Sequence, residues 1–159
     1  MEIIILFTLI LFYILFIISI EDLKTMLVSE NKLNIFILFG LLYSIAFGLT
    51  NDKVNTIYLI KNNLISLVII FSLLYLLSYI SFKIIGKNSL GMGDIKLSSI
   101  STIWIGIELT FLSLCISFLL SAIYSLHGKL TKKLRPFQQY PFTPFLSIGI
   151  FSSWIIDKI

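Results

Sequence analysis

The chain has 159 residues, of which 58% are hydrophobic and 13% are charged, and its formal net charge is +4. A soluble domain has roughly 45–50% apolar and about 25% charged residues, so this chain has too few polar residues to cover a soluble surface. The single cysteine, Cys115, excludes an intrachain disulfide and a multi-cysteine zinc cluster. No basic patch with interleaved aromatic residues indicates a nucleic-acid partner. We therefore predict one membrane-embedded domain over residues 1–159, surrounded by the lipid bilayer.

Six apolar segments follow one another along the chain. The first, Ile3–Ile20, has about the minimum length for a helix that crosses ~30 Å of hydrocarbon, and it lacks the flanks of a signal peptide. The run from Ile95 to Leu126 is too long for one span, and Gly106 and Glu108 divide it into a short fourth segment and a fifth. The sequence therefore predicts an all-α polytopic membrane protein with about six transmembrane helices. The fifth segment is Leu109–Leu126, the others are Ile35–Leu49, Leu64–Phe82 and Phe142–Ile156, and Asn51–Asn63 is predicted as a polar loop.

The distribution of basic residues predicts the orientation of these helices, because cytoplasmic loops carry an excess of lysine and arginine. If the N-terminus lies outside, three residues fall on the outer side, and these are Lys53, Lys61 and Lys158. Nine fall on the inner side, and these are Lys24, Lys32, Lys83, Lys87, Lys96, Lys129, Lys132, Lys133 and Arg135. We therefore predict a multi-pass protein of the inner or plasma membrane with its N-terminus outside.

Two acids stand in unusual settings on the predicted cytoplasmic side. Asp22 lies at the end of the first helix, where its carboxylate faces the negative end of the helix dipole at a cost of about 0.3–1 kcal/mol. Asp94 follows Gly91 and Gly93 at the start of the short fourth helix. We expect the two glycines to adopt unusual backbone angles and to let another chain approach closely. Ionisable groups at membrane depth are expensive, which favours a functional role for both acids.

Two carboxyl groups from different helices are the minimum equipment of an aspartic protease. Like charges at close range cannot both ionise, so such a pair shares one proton. The ionised member takes a proton from the attacking water, and the protonated member donates to the oxygen of the scissile carbonyl. This chemistry requires neither a nucleophilic side chain nor a metal. We therefore predict Asp22 and Asp94 as catalytic residues, with no cofactor and no metal site.

Three stretches of the sequence resemble the type IV prepilin peptidases, a family of GxGD aspartic intramembrane proteases. Asp22–Lys24 (DLK) resembles the first aspartate motif of that family, and Gly91–Leu97 (GMGDIKL) matches the second. Pro141–Leu146 (PFTPFL) resembles a Pro-Phe-x-Pro-Phe-Leu segment near the C-terminus of the family, and we expect its two prolines to set the start of the last helix. The family commonly has Ile-Pro-Asn after its first aspartate, where this chain has Val28–Glu30 (VSE).

The resemblance implies an aspartic endopeptidase that acts at the cytoplasmic membrane face. Its substrates would be prepilins or pseudopilins with a short basic leader that ends in glycine before an apolar helix. It implies the short form of the family, without the cysteine-rich domain that is linked to methyltransferase activity. Gly91, Gly93 and Lys96 are predicted to contact the substrate. For Lys96 two further interpretations stay open. It could lower the pKa of Asp94, or it could be an ordinary lysine whose ammonium group reaches the membrane surface.

Three other functions are compatible with the same residues. A small transporter or assembly factor would use Asp22 and Asp94 to line an ion path, and the two acids would then lie far apart or near the middle of the membrane. A presenilin-type protease also uses a Gly-x-Gly-Asp aspartate, although such chains are larger. An inactive relative that acts as a scaffold is the third alternative. The sequence indicates neither the oligomeric state nor the particular appendage that is served.

Overall fold

A computed structural model describes residues 2–50, 55–86, 90–132 and 139–158. These residues form five helices, and no strand occurs among them: α1 (Glu2–Thr25), α2 (Glu30–Thr50), α3 (Thr56–Ile85), α4 (Met92–Leu130) and α5 (Thr143–Lys158). The first four are long and apolar enough to cross a membrane. The prediction of an all-α polytopic membrane protein is confirmed. Four of the basic residues that set the predicted orientation lie outside the described residues, namely Lys53, Lys87, Lys133 and Arg135.

The predicted count of six separate helices is not confirmed, because the fourth and fifth predicted segments are the two arms of α4. Asp94 is hydrogen-bonded to Thr143, and Ser121 is hydrogen-bonded to Tyr140. A straight helix would place residues 94 and 121 about 40 Å apart, whereas residues 140 and 143 can be separated by only about 10 Å. The chain therefore turns back at Gly106, which has non-helical angles of φ 73° and ψ 176°.

The turn at Gly106 leaves a backbone carbonyl to be satisfied, and neighbouring helices supply the donors. The Ile103 carbonyl accepts hydrogen bonds from the Ser44 hydroxyl of α2 at 3.1 Å and from the Asn63 amide of α3 at 3.3 Å. An unsatisfied backbone group would cost several kcal/mol in the hydrocarbon region. This corrects the prediction of a polar loop through residue 63: α3 begins at Thr56, and Asn63 is buried within it.

The core of the bundle is aromatic near this turn. Trp104 of α4 stacks on Phe36 and Tyr43 of α2, with ring centroids 5.5 and 6.0 Å apart, and its indole N–H donates to the Phe36 carbonyl. Phe7 of α1 and Trp154 of α5 pack edge-on against the same indole. All these rings lie on α1, α2, α4 and α5, so this cluster holds four of the five helices together at the end of the bundle that contains Gly106.

Candidate active site

Asp22 points into the bundle from the last turn of α1. The buried side chains of α1 recur every three or four residues, and Asp22 continues this stripe beyond Leu15 and Ile18. Only 5% of Asp22 is exposed. Its Oδ2 accepts the backbone N–H of Thr143 at 3.1 Å. Because Thr143 is the first residue of α5, the positive end of that helix compensates for the unfavourable position of Asp22 at the end of α1.

Asp94 is held at the start of α4. Gly91 is the N-cap residue of α4, so Asp94 occupies the third helical position. Its Oδ2 lies close to Gly91, where a Cβ atom would approach it to 3.2 Å. Its Oδ1 accepts the hydroxyl hydrogen of Thr143 at 2.8 Å.

Thr143 therefore connects the two acids that the sequence singles out. Its backbone N–H binds Asp22 and its hydroxyl binds Asp94, and its side chain is fully buried. The two carboxyl groups therefore lie at the same end of the bundle. We call this end, defined by Asp22, Asp94 and Thr143, the aspartate end. Two acids on different helices that bind the same residue can act together as acid and base on one substrate.

The two glycines near Asp94 allow close packing rather than unusual backbone angles. Gly91 has extended angles of φ −68° and ψ 149°, and the only described glycines with positive φ are Gly86 and Gly106. The expectation of unusual angles at Gly91 and Gly93 is therefore wrong. A Cβ atom on Gly93 would lie 3.0 Å from Cβ of Val28, and one on Gly91 would lie 3.2 Å from Asp94 Oδ2. Gly93 thus lets the α1–α2 connection lie against α4, as expected, and substrate contact by either glycine stays a prediction.

Two ion pairs surround the acids at the aspartate end. Lys96 pairs with Glu30 at the start of α2. Glu21 pairs with Lys32 at 3.3 Å and also accepts the backbone N–H of Ser29 at 3.1 Å. These contacts hold Val28–Glu30, which stands where the family commonly has Ile-Pro-Asn, against α1 and α4. The predicted substrate contact of Lys96 stays a prediction.

Thr143 is the site residue that the sequence analysis did not single out. The two prolines that flank it mark the start of α5, since proline is favoured in the first turn of a helix, but they do not reveal a side-chain contact with Asp94. The one feature of the sequence that could have drawn attention to Thr143 is its hydroxyl group at the start of a helix, between two prolines. Its partners are distant in sequence, so only the fold shows the contact.

The fold and the site together define an all-helical, multi-pass membrane protein with two acids that converge at one end of the bundle. The family model of the type IV leader peptidase family matches residues 9–126, about three quarters of the chain, and the chain belongs to that family. Membership implies a peptidase. The matched range contains Asp22 and Asp94 and ends before Thr143. No curated protein and no solved structure matches the chain.

Proposed function

We propose that this protein is an aspartic endopeptidase that removes the leader peptide of type IV prepilin-like proteins at the cytoplasmic face of the membrane. The observation that carries this proposal is the convergence of Asp22 and Asp94 on Thr143. Membership of the type IV leader peptidase family supports a prepilin-like substrate. The excess of lysine and arginine on the side of Asp22 and Asp94 supports a cytoplasmic active site.

The hydrogen bonds favour Asp22 as the base and Asp94 as the acid. Asp22 receives a backbone N–H, which can only donate, so its bonded oxygen is best satisfied as a carboxylate. Asp94 faces the Thr143 hydroxyl, which can donate to a carboxylate or accept from a protonated carboxyl group. The partners of the two acids therefore tolerate a proton on Asp94 better than on Asp22.

The reaction then runs as a general acid–base hydrolysis. Asp22 takes a proton from water as the water oxygen forms a bond to the scissile carbonyl carbon, and Asp94 gives its proton to the carbonyl oxygen. The tetrahedral intermediate collapses when the C–N bond breaks, and the proton held by Asp22 passes to the leaving amine. Asp94 regains its proton from the hydroxyl of the intermediate, so both acids return to their starting states.

Replacement of each acid by asparagine tests the proposal. Asp22→Asn and Asp94→Asn retain the shape of the side chain but remove its acid–base function, so each is expected to abolish leader removal from a co-expressed type IV prepilin. Asp157→Asn is the matched control, because Asp157 is an exposed acid at the far end of α5, where it pairs with Lys158. The control should cleave at the wild-type rate.

The test has clear contrary outcomes. Normal cleavage by either Asp22→Asn or Asp94→Asn, in membranes that contain the inserted protein, would show that the assigned pair is wrong. A wild-type protein that leaves prepilins uncleaved would overturn the proposed substrate. Acids that lay far apart would favour the transporter alternative, whereas Asp22 and Asp94 both bind Thr143.

A further inference from the structure

The helices that carry the two acids do not pack against each other along their backbones. No Cα atom of α1 lies within 8 Å of one of α4, whereas α5 packs against both. Apart from the edge-on contact of Phe7 with Trp104, the relative position of Asp22 and Asp94 therefore depends on α2 and α5, which pack against both helices. Because α5 contacts both carriers, small movements of α5 change the geometry of the pair more directly than movements of α3.

Helix α5 contacts both α1 and α4 along its length. Toward α1, the Ser19 hydroxyl donates to Ser147 at 2.8 Å, and the Trp154 indole N–H donates to Thr8 at 2.8 Å. Toward α4, Gly149 allows a close approach of the two backbones at Ser113. These contacts hold α5 at a defined height and distance between α1 and α4, and Thr143 stands at its first turn.

Thr143 holds each acid with a different group. The backbone N–H that binds Asp22 is present whatever the side chain, whereas the bond to Asp94 depends on the hydroxyl. The hydroxyl can reverse its donor and acceptor roles, so it keeps its bond to Asp94 when the carboxyl group gains or loses a proton. A methyl group in place of the hydroxyl would release Asp94 while Asp22 stays bound.

We propose that Thr143 is a positioning residue that holds Asp94 in register with Asp22 throughout the reaction. This rests on the proposed peptidase function and adds the residue that aligns the pair. A misplacement of about 1 Å in reacting groups costs on the order of 100-fold in rate. Loss of the hydroxyl is therefore expected to lower kcat by about 10- to 100-fold and to change KM by less than about threefold, since Thr143 acts through the acids.

The experiment compares Thr143→Val, Thr143→Ala and Thr143→Ser in the purified full-length chain in detergent micelles. The substrate is a type IV prepilin with a short basic leader. Each rate is divided by the amount of monodisperse protein in the sample. Valine keeps the shape of threonine and alanine avoids any crowding, so both should lose the predicted activity. Serine restores the hydroxyl and should stay within about threefold of wild type, because the bond to Asp94 can re-form.

A second measurement separates alignment from general destabilisation. A peptide with a tetrahedral hydroxyl-bearing carbon in place of the scissile carbonyl should lose affinity for Thr143→Val in parallel with kcat, because it binds through the aligned acids. Thr110→Val is the matched control, since Thr110 is equally buried and its hydroxyl donates to the Gly106 carbonyl at 2.7 Å, at the other end of the bundle. Its kcat and its affinity for the analogue should be unchanged.

The outcomes distinguish this proposal from the proposed function. If Asp22→Asn and Asp94→Asn abolish cleavage but Thr143→Val and Thr143→Ala cleave at the wild-type rate, Thr143 does not position the pair and the peptidase assignment stands. If Thr143→Ser is as impaired as Thr143→Val, the hydroxyl is not the aligning group. If the wild-type chain itself does not cleave the prepilin, the proposed function fails first.

Discussion

Gly149 offers a test in which sequence reasoning and the structure predict opposite results. In the interior of a helix, alanine is favoured over glycine by about 1 kcal/mol, so propensity alone predicts that Gly149→Ala stabilises the protein. In the structure, a Cβ atom at this position would overlap the Ser113 carbonyl oxygen and the Ser117 hydroxyl of α4. Overpacking of this kind costs about 1–3 kcal/mol, so the net expectation is a destabilisation of up to about 2 kcal/mol.

The same substitution should also reduce activity through the aspartate end. Carbon and carbonyl oxygen atoms keep contacts of about 3.3–3.6 Å, so α5 must move away from α4 by about 1 Å to accommodate the methyl group. If α5 moves as a unit, the 2.8 Å bond between the Thr143 hydroxyl and Asp94 lengthens beyond the range of a hydrogen bond. A displacement of that size predicts a loss of activity on the order of 100-fold.

Two measurements on one purified sample check this prediction: thermal unfolding in detergent micelles and the initial rate of prepilin cleavage. Ile156→Ala is the control on the same helix, because 55% of Ile156 is exposed, and it should keep the wild-type rate. A Gly149→Ala protein that unfolds at a higher temperature than wild type and cleaves normally would refute the close packing of α4 on α5. It would also refute the proposed effect of that packing on the position of Asp94.

Two further predictions concern the turn in α4 and the orientation in the membrane. Gly106→Ala should destabilise the protein by about 1–3 kcal/mol, because φ 73° with ψ 176° suits glycine alone, and thermal unfolding in micelles measures it; an unchanged unfolding temperature would contradict the turn. In a Cys115→Ala background, a membrane-impermeant thiol reagent added to whole cells should label Asp157→Cys, whereas Lys24→Cys and Lys129→Cys should react only after permeabilisation. The reverse labelling pattern would overturn the predicted orientation.

Two contacts that the sequence-based prediction missed share one physical cause. Asn63 was placed in a polar loop, yet it is buried where a broken helix needs a hydrogen-bond donor. The ammonium group of Lys96 pairs with Glu30 of α2, a contact that the sequence analysis did not anticipate. In both cases the partner is distant in the sequence, and a local pattern contains no information about it.

The facing direction of Asp22 could not be predicted for a different reason. Helix α1 is apolar on nearly every side because lipid surrounds it, so its sequence has no polar face that would reveal the buried one. In the structure, Leu9 and Tyr13 face outward with 63% exposed, whereas Leu11 and Ile18 are buried on the side of Asp22. The motif identified the acid, and only the packing showed that its carboxylate points inward.

The sequence by itself determined the membrane class and the all-α fold, predicted a break at Gly106 and singled out the two acids as candidates, because composition, apolar run length and motif residues are local properties. Only the tertiary structure decided that α4 turns back on itself, that α5 lies between the carriers of the two acids, and that Thr143 binds both. These features depend on which helices meet. In a chain whose helices are almost uniformly apolar, that choice is made by shape and by a few buried hydrogen bonds, which become visible only once the helices are packed.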